Sequence, residues 1–141
     1  MISIFIINSF IISIAVLIHA KVLYSLSSLL PRLKISKKFK IIISVFTIIL
    51  THIAEVWLFA FSYYFLIKNG NFGELQGNFN ESLMDCSYFS FTSYTSLGIG
   101  DIVPIGHIRF LVGLEALSGL VLITWSASFL YIEMQKFWKI K

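Results

Sequence analysis

Apolar residues fill this chain in three long runs, and the charged residues gather between them. Ile2 to Ala20 is nineteen residues without an acidic or basic side chain. As a helix it measures about 28 Å, enough to cross the hydrocarbon of a bilayer. Ile41 to Ile67 is longer and is broken only by His52 and Glu55. Phe110 to Met134 carries two acids, Glu115 and Glu133. Each run predicts a membrane-spanning helix.

The stretch between the second and third runs is of two kinds. "KNGNFGELQGNFN", from Lys68 to Asn80, holds three glycines and four asparagines and predicts turns. "ESLMDCSYFSFTSY" follows, largely apolar and aromatic. It predicts a helix over about Glu81 to Ser93, capped by Asn78 or Asn80, with Glu81 in the first turn. At roughly 20 Å such a helix is too short to cross a bilayer. It is also too apolar for water, so it is expected to dip in from one face as a re-entrant half-helix. The chain then returns through Thr95 to Pro104. The expected fold is an all-α membrane protein, three transmembrane helices with a re-entrant segment between the second and third.

Composition supports the bilayer over a soluble core. Hydrophobic residues are 57% and charged ones 13% of 141 residues, against about 45–50% and about 25% in soluble domains. The first run lacks the basic stretch that precedes a secretion signal, and Lys21 follows it, so it is read as an uncleaved anchor. Residues 1–40 then form a transmembrane helix and a basic linker, and residues 41–141 the second unit. Lys21, Arg32, Lys34, Lys37, Lys38 and Lys40 crowd the first connection, and Lys136, Lys139 and Lys141 close the chain. That puts nine of eleven basic residues on segments that three spans leave on one side. The positive-inside rule makes that side cytoplasmic in a cell (inner) membrane and the N-terminus external. Glu74, Glu81, Asp85 and Asp101 fall outside. The net charge of +4 thus reflects topology and not nucleic acid, and the basic loop is able to attract anionic lipid. Cys86 is alone and reads as a small buried side chain.

"TSLGIGD", Thr95 to Asp101, is the candidate chemistry. Non-helical backbone at membrane depth survives only where it is buried in protein or lines an aqueous path. Gly98 and Gly100 permit dihedrals that turn successive carbonyls the same way. A row of carbonyls replaces the water shell of a cation. The negative end of the preceding half-helix favours the same charge. Thr95 and Ser96 add hydroxyl oxygens at the inner end, and Asp101 a carboxylate at the outer mouth.

Here the sequence resembles the pore region of potassium channels, in which Thr-x-x-Gly-Tyr/Phe-Gly-Asp follows a short pore helix and precedes an inner helix. Thr95, Gly98, Gly100 and Asp101 stand in those places, and Pro104 follows. The resemblance covers roughly Ile41 to Lys141 and is closest to small bacterial channels with one two-helix pore module; the first span is additional. It implies a filter of Ser96, Leu97, Gly98, Ile99 and Gly100 in a cyclic homotetramer. It also implies passive conduction, with potassium as the permeant ion and no other metal or cofactor. Ser96 stands where Thr is usual and Ile99 where an aromatic is usual. A weakly selective cation channel and a non-conducting assembly subunit are the rival readings.

His52 and Glu55 lie on one face of the second span, and ionisable groups so deep point to function. They form either a proton-sensitive pair or a polar tie between helices, with Glu115 the expected partner. Glu115 facing the pore is the alternative. Gly119 resembles the inner-helix glycine at which potassium channels bend; otherwise it permits close helix contact. The aromatic residues from Tyr88 to Tyr94 are expected to pack around the filter, and Trp138 to anchor the interface. Asn80-Glu81-Ser82 matches a glycosylation acceptor beside the pore helix and carries no expectation. His19, His52 and His107 sit in different segments without metal-ligand spacing, and no enzyme constellation, voltage-sensing arginine helix or regulatory domain is expected.

Overall fold

The computed structural model describes residues 2–137. Trp138, Lys139 and Lys141, expected as anchor and terminal charge, lie outside the described residues. Helix α1 runs Ile2–Leu29 and a single 3-10 turn covers Leu30–Arg32. Helix α2 spans Lys37–Lys68, strand β1 Glu74–Gly77, helix α3 Leu83–Tyr94, strand β2 Ile102–Ile105 and helix α4 Ile108–Phe137. The three long helices measure about 42, 48 and 45 Å, so each overhangs a hydrocarbon layer of about 30 Å. All three are long and apolar enough to cross a membrane.

The helices exceed the apolar runs because their ends carry the charges. Lys21 lies inside α1, which stops only where Pro31 enters the 3-10 turn. Lys37, Lys38 and Lys40 form the first turn of α2. Of the six basic residues assigned to the first connection, only Arg32 and Lys34 lie between the two long helices. At its other end α2 closes on Asn69, whose amide bonds the Phe65 carbonyl at 3.1 Å, and on Gly70 at φ 69°.

Each long helix buries one stripe. On α1 it is Asn8, Ile11, Ala15, His19, Leu23 and Leu26; on α2, Ile48, Thr51, Glu55, Phe59, Tyr63 and Leu66; on α4, Ile108, Leu111, Glu115, Leu122 and Ser126. Steps of three, four and seven residues keep one face of a helix inward. The remaining faces stay apolar and exposed, as at Phe46, Leu50 and Phe65 on α2 and Leu117, Leu120 and Val121 on α4. α3 packs between α2 and α4, while α1 lies against both long helices. Val56, Phe59 and Tyr63 meet Cys86, Phe89 and Tyr94 in the main core. Cys86 is fully buried, in accord with its sequence reading.

The segment expected to be loop on either side of α3 forms a two-stranded antiparallel sheet, Glu74 opposite Ile105 and Gly77 opposite Ile102. Leu75 and Ile102 point into the core. At Gly77 the strands approach so closely that a β-carbon would lie 2.1 Å from the Asp101 carbonyl oxygen.

Candidate functional site

The start of α3 is capped, though not by the residues expected. Ser82, in extended conformation, accepts a hydrogen bond from the Asp85 amide at 3.0 Å. The Asp85 carboxylate in turn accepts from the Asn80 amide at 2.9 Å. The Ser82 hydroxyl thus satisfies one amide that a helix start leaves unpaired, and the Asp85 side chain reaches back to the turn before the cap. The cap is Ser82, not the Asn78 or Asn80 side chain, and Glu81 lies before the helix at φ 56°. A hydroxyl one residue from the first turn outcompetes asparagines whose backbone already belongs to the preceding turn. The Asn80 amide, and then the Ser82 hydroxyl, hold the Asp85 carboxyl below its ordinary value.

At its other end α3 leads straight into Thr95–Asp101. The Thr95 amide reaches the Phe91 carbonyl at 3.2 Å, and its hydroxyl donates to the same oxygen at 2.7 Å. Beyond it the backbone alternates in hand. Ser96 has φ 57°, Gly98 57° and Gly100 85°, while among the described non-glycine residues only Glu81 shares this region with Ser96. Leu97 and Ile99 between them therefore keep negative φ. Thr95 through Gly100 are all exposed on the single chain, and a β-carbon on Gly98 or Gly100 would meet nothing within 4 Å. Ser96, Gly98 and Gly100 line one wall of a cleft of about 280 Å³, with Val112 and Ala116 of α4 across it. Asp101 is fixed by both of its ends: Tyr88 donates to its carboxylate at 3.0 Å, and its carbonyl accepts from the Asn78 amide at 2.9 Å.

The aromatic residues of α3 divide by face. Phe89 stacks edge-on against Tyr63, with ring centroids 5.2 Å apart, and Tyr94 is buried, whereas Tyr88 and Phe91 are exposed. Gly119 sits where α4 crosses the end of α3; a β-carbon there would lie 2.1 Å from the Tyr94 carbonyl oxygen. That contact demands glycine on packing grounds alone.

The intramembrane polar residues form two clusters, not one. Glu115, fully buried, accepts from the Tyr63 hydroxyl and pairs with the Ser90 hydroxyl, which also reaches the Val56 carbonyl at 2.9 Å. Neither His52 nor Glu55 bonds it, which corrects the expected partnership. Glu115 lies level with α3, so the Ser90 hydroxyl of the short helix and the Tyr63 hydroxyl of α2 reach it first. Glu55 is instead paired across helices with His19, whose Nδ1 is 3.0 Å from Oε1. His52 Nδ1 lies 3.1 Å from Glu55 Oε2 and 2.9 Å from the Tyr94 hydroxyl, which donates to the same carboxylate oxygen. Ser126 of α4 closes the group at 3.2 Å from Nε2 of both histidines. The expectation that the histidines stand apart is thus overturned for His19 and His52. Their sequence separation hid a shared depth in adjacent helices.

Three membrane-length helices, with a short capped helix and an exposed strand of alternating hand held between two of them, define a channel-like membrane protein. The family model described as "Ion channel" matches residues 51–136, more than half of the chain, and the chain belongs to that family. No curated protein and no solved structure matches it.

Proposed function

We propose that this chain is the pore-forming subunit of a homotetrameric, potassium-selective channel in a cell membrane, with Thr95 to Gly100 as its filter. The observation that carries the proposal is the alternation of backbone hand at Ser96, Gly98 and Gly100, directly after a half-helix. Residues of alternating hand turn their peptide groups alike, so carbonyls in register face one axis and stand in for the water around a cation. One such strand encloses nothing. Four around an axis make stacked rings of oxygen, and the apolar faces left exposed on α2 and α4 are the surfaces that lipid and neighbouring chains would cover.

Conduction is passive: an ion sheds water onto the rings, several ions occupy them, and each arrival displaces the next. The Thr95 hydroxyl spends its hydrogen on Phe91, which leaves its oxygen lone pairs for the innermost ion. Asp101 concentrates cations at the outer mouth. Gly119 is the candidate hinge, because a bend of α4 there would release its contact with Tyr94, the residue before Thr95. The N-terminus is external, and the basic connection between α1 and α2 with the basic first turn of α2 is cytoplasmic, within reach of anionic lipid.

Reversal potentials in mixed potassium and sodium, measured on chain reconstituted in planar bilayers, test this reading. The expected value follows the potassium gradient, and Gly98→Ala or Gly100→Ala should abolish current while the tetramer persists. A reversal potential indifferent to which cation is present would replace potassium selectivity with weak selectivity, as Ile99 in place of an aromatic would favour. Absence of single-channel current at every voltage and pH would leave an assembly subunit in its place.

A further inference from the structure

We propose that His19, His52 and Glu55 form a binding site for one divalent transition-metal ion of the zinc class within the helix bundle, with the Tyr94 hydroxyl oxygen beside it. The site draws its ligands from α1 and α2. Nδ1 of His19 and of His52 approach different oxygens of one carboxylate, at 3.0 and 3.1 Å, and the three ligand atoms lie within 4.8 Å of one another. A tetrahedral ion with bonds of about 2.0–2.1 Å holds neighbouring ligand atoms roughly 3.3 Å apart. The two histidine–carboxylate distances are already near that spacing, and the two histidines, within 4.8 Å of each other, close on the ion by up to about 1.5 Å. His19 and Glu55 are fully buried, and His52 is 19% exposed, which leaves one approach.

Hydrogen-bond counting leaves two arrangements. Without an ion, and with each neutral histidine donating Nδ1–H to Glu55, both Nε2 lone pairs face Ser126, whose one hydrogen satisfies only one of them. Either a further proton shared between the histidines or a metal ion resolves the conflict. An ion on the two Nδ1 atoms moves both ring protons to Nε2. The two lone pairs of Ser126 then accept both N–H groups, at the observed 3.2 Å each. An oxygen acceptor behind each ligating ring is the arrangement metal-bound histidines usually have. Charge agrees: the Glu55 carboxylate offsets part of the charge of a divalent ion that the bilayer would otherwise exclude.

The probe is Co²⁺, followed by Zn²⁺, added to untagged full-length channel purified in detergent and freed of metal with a chelator. One Co²⁺ per chain should bind, give the intense visible absorption of a four-coordinate site, and be displaced by Zn²⁺. His19→Gln and His52→Gln should each abolish the absorption. Ser126→Ala, which touches no ligand position, should keep the absorption and weaken affinity about 10–100-fold. The proposal is overturned if intact wild-type assembly binds no stoichiometric Co²⁺, which would leave a shared proton between the histidines. It is equally overturned if the His19→Gln/His52→Gln double variant keeps the band, or if Ser126→Ala binds as tightly as wild type. Wild-type stoichiometry and Ser126→Ala decide the matter even where a histidine variant fails to assemble.

Discussion

Tyr94 is held from both ends, by Glu55 and His52 at its hydroxyl and by Gly119 at its carbonyl. Glu115 holds the same short helix from the other side through Ser90. If that contact is structural, Glu115→Gln should assemble nearly as wild type, because an amide still pairs with both hydroxyls. Glu115→Leu strands the Tyr63 hydroxyl, leaves Ser90 only the Val56 carbonyl, and should weaken the assembly by about 1 kcal/mol, in line with interhelical bonds measured in membranes. Stability of the proposed tetramer in detergent, read for both variants alongside single-channel current, checks it. Equal loss of current in both, with stability spared, would mean that the charge itself acts in the pore. His52, Glu55 and Glu115 were legible because ionisable groups are rare at such depth. Their pairing was not, because it depends on which helices touch. His19 was missed for a simpler reason: it stands next to the end of the first uncharged run and looks like part of the interface. The stripe of Asn8, Ala15 and His19, spaced seven and four, was the available signal.

Among the elements, the long helices and α3 followed from hydrophobic runs, and only their ends differed. The strand pair was hidden because β1 is short and flanked by glycines and asparagines. β2 carries Pro104, which argues against a central strand but suits one edge of a two-stranded sheet. The cap of α3 is the element whose stability is most directly testable. Ser82→Ala should destabilise the helix by about 1 kcal/mol, seen as a lower midpoint of thermal unfolding in detergent. Asp85 adds an acid limit. Its carboxyl is held below the ordinary aspartate value of about 3.9, so its contribution is fully present above that value. The contribution disappears as pH falls through the lower, folded-state value. Asp85→Asn should therefore remove part of the acid sensitivity below about pH 4 and leave neutral behaviour little changed. Identical acid profiles for the two proteins would sink this account of the cap.

At the scale of the whole molecule, the orientation rests on charge at the helix ends and is open to direct measurement. A reporter active only in the cytoplasm should work when inserted near Lys37 and stay silent near Asn71. Activity near Asn71 would reverse the topology. The candidate filter stood out in the sequence because two glycines and an acid interrupt an apolar chain. The alternation of hand that gives them meaning was readable only in the fold. The pairing of His19 with Glu55 also bears on how the chain is made. A nascent polypeptide enters the bilayer from its N-terminus, so α1 is in place before α2 emerges. An acidic side chain near mid-helix opposes insertion by about 3 kcal/mol, and α2 brings Glu55 into a layer where His19 already waits to receive it. The first helix then serves as an assembly aid for the second, a built-in chaperone that stays behind as part of the product. With His19→Leu, a growing share of molecules should leave α2 uninserted and switch on the reporter near Asn71; an unchanged signal would show that α2 enters the bilayer unaided.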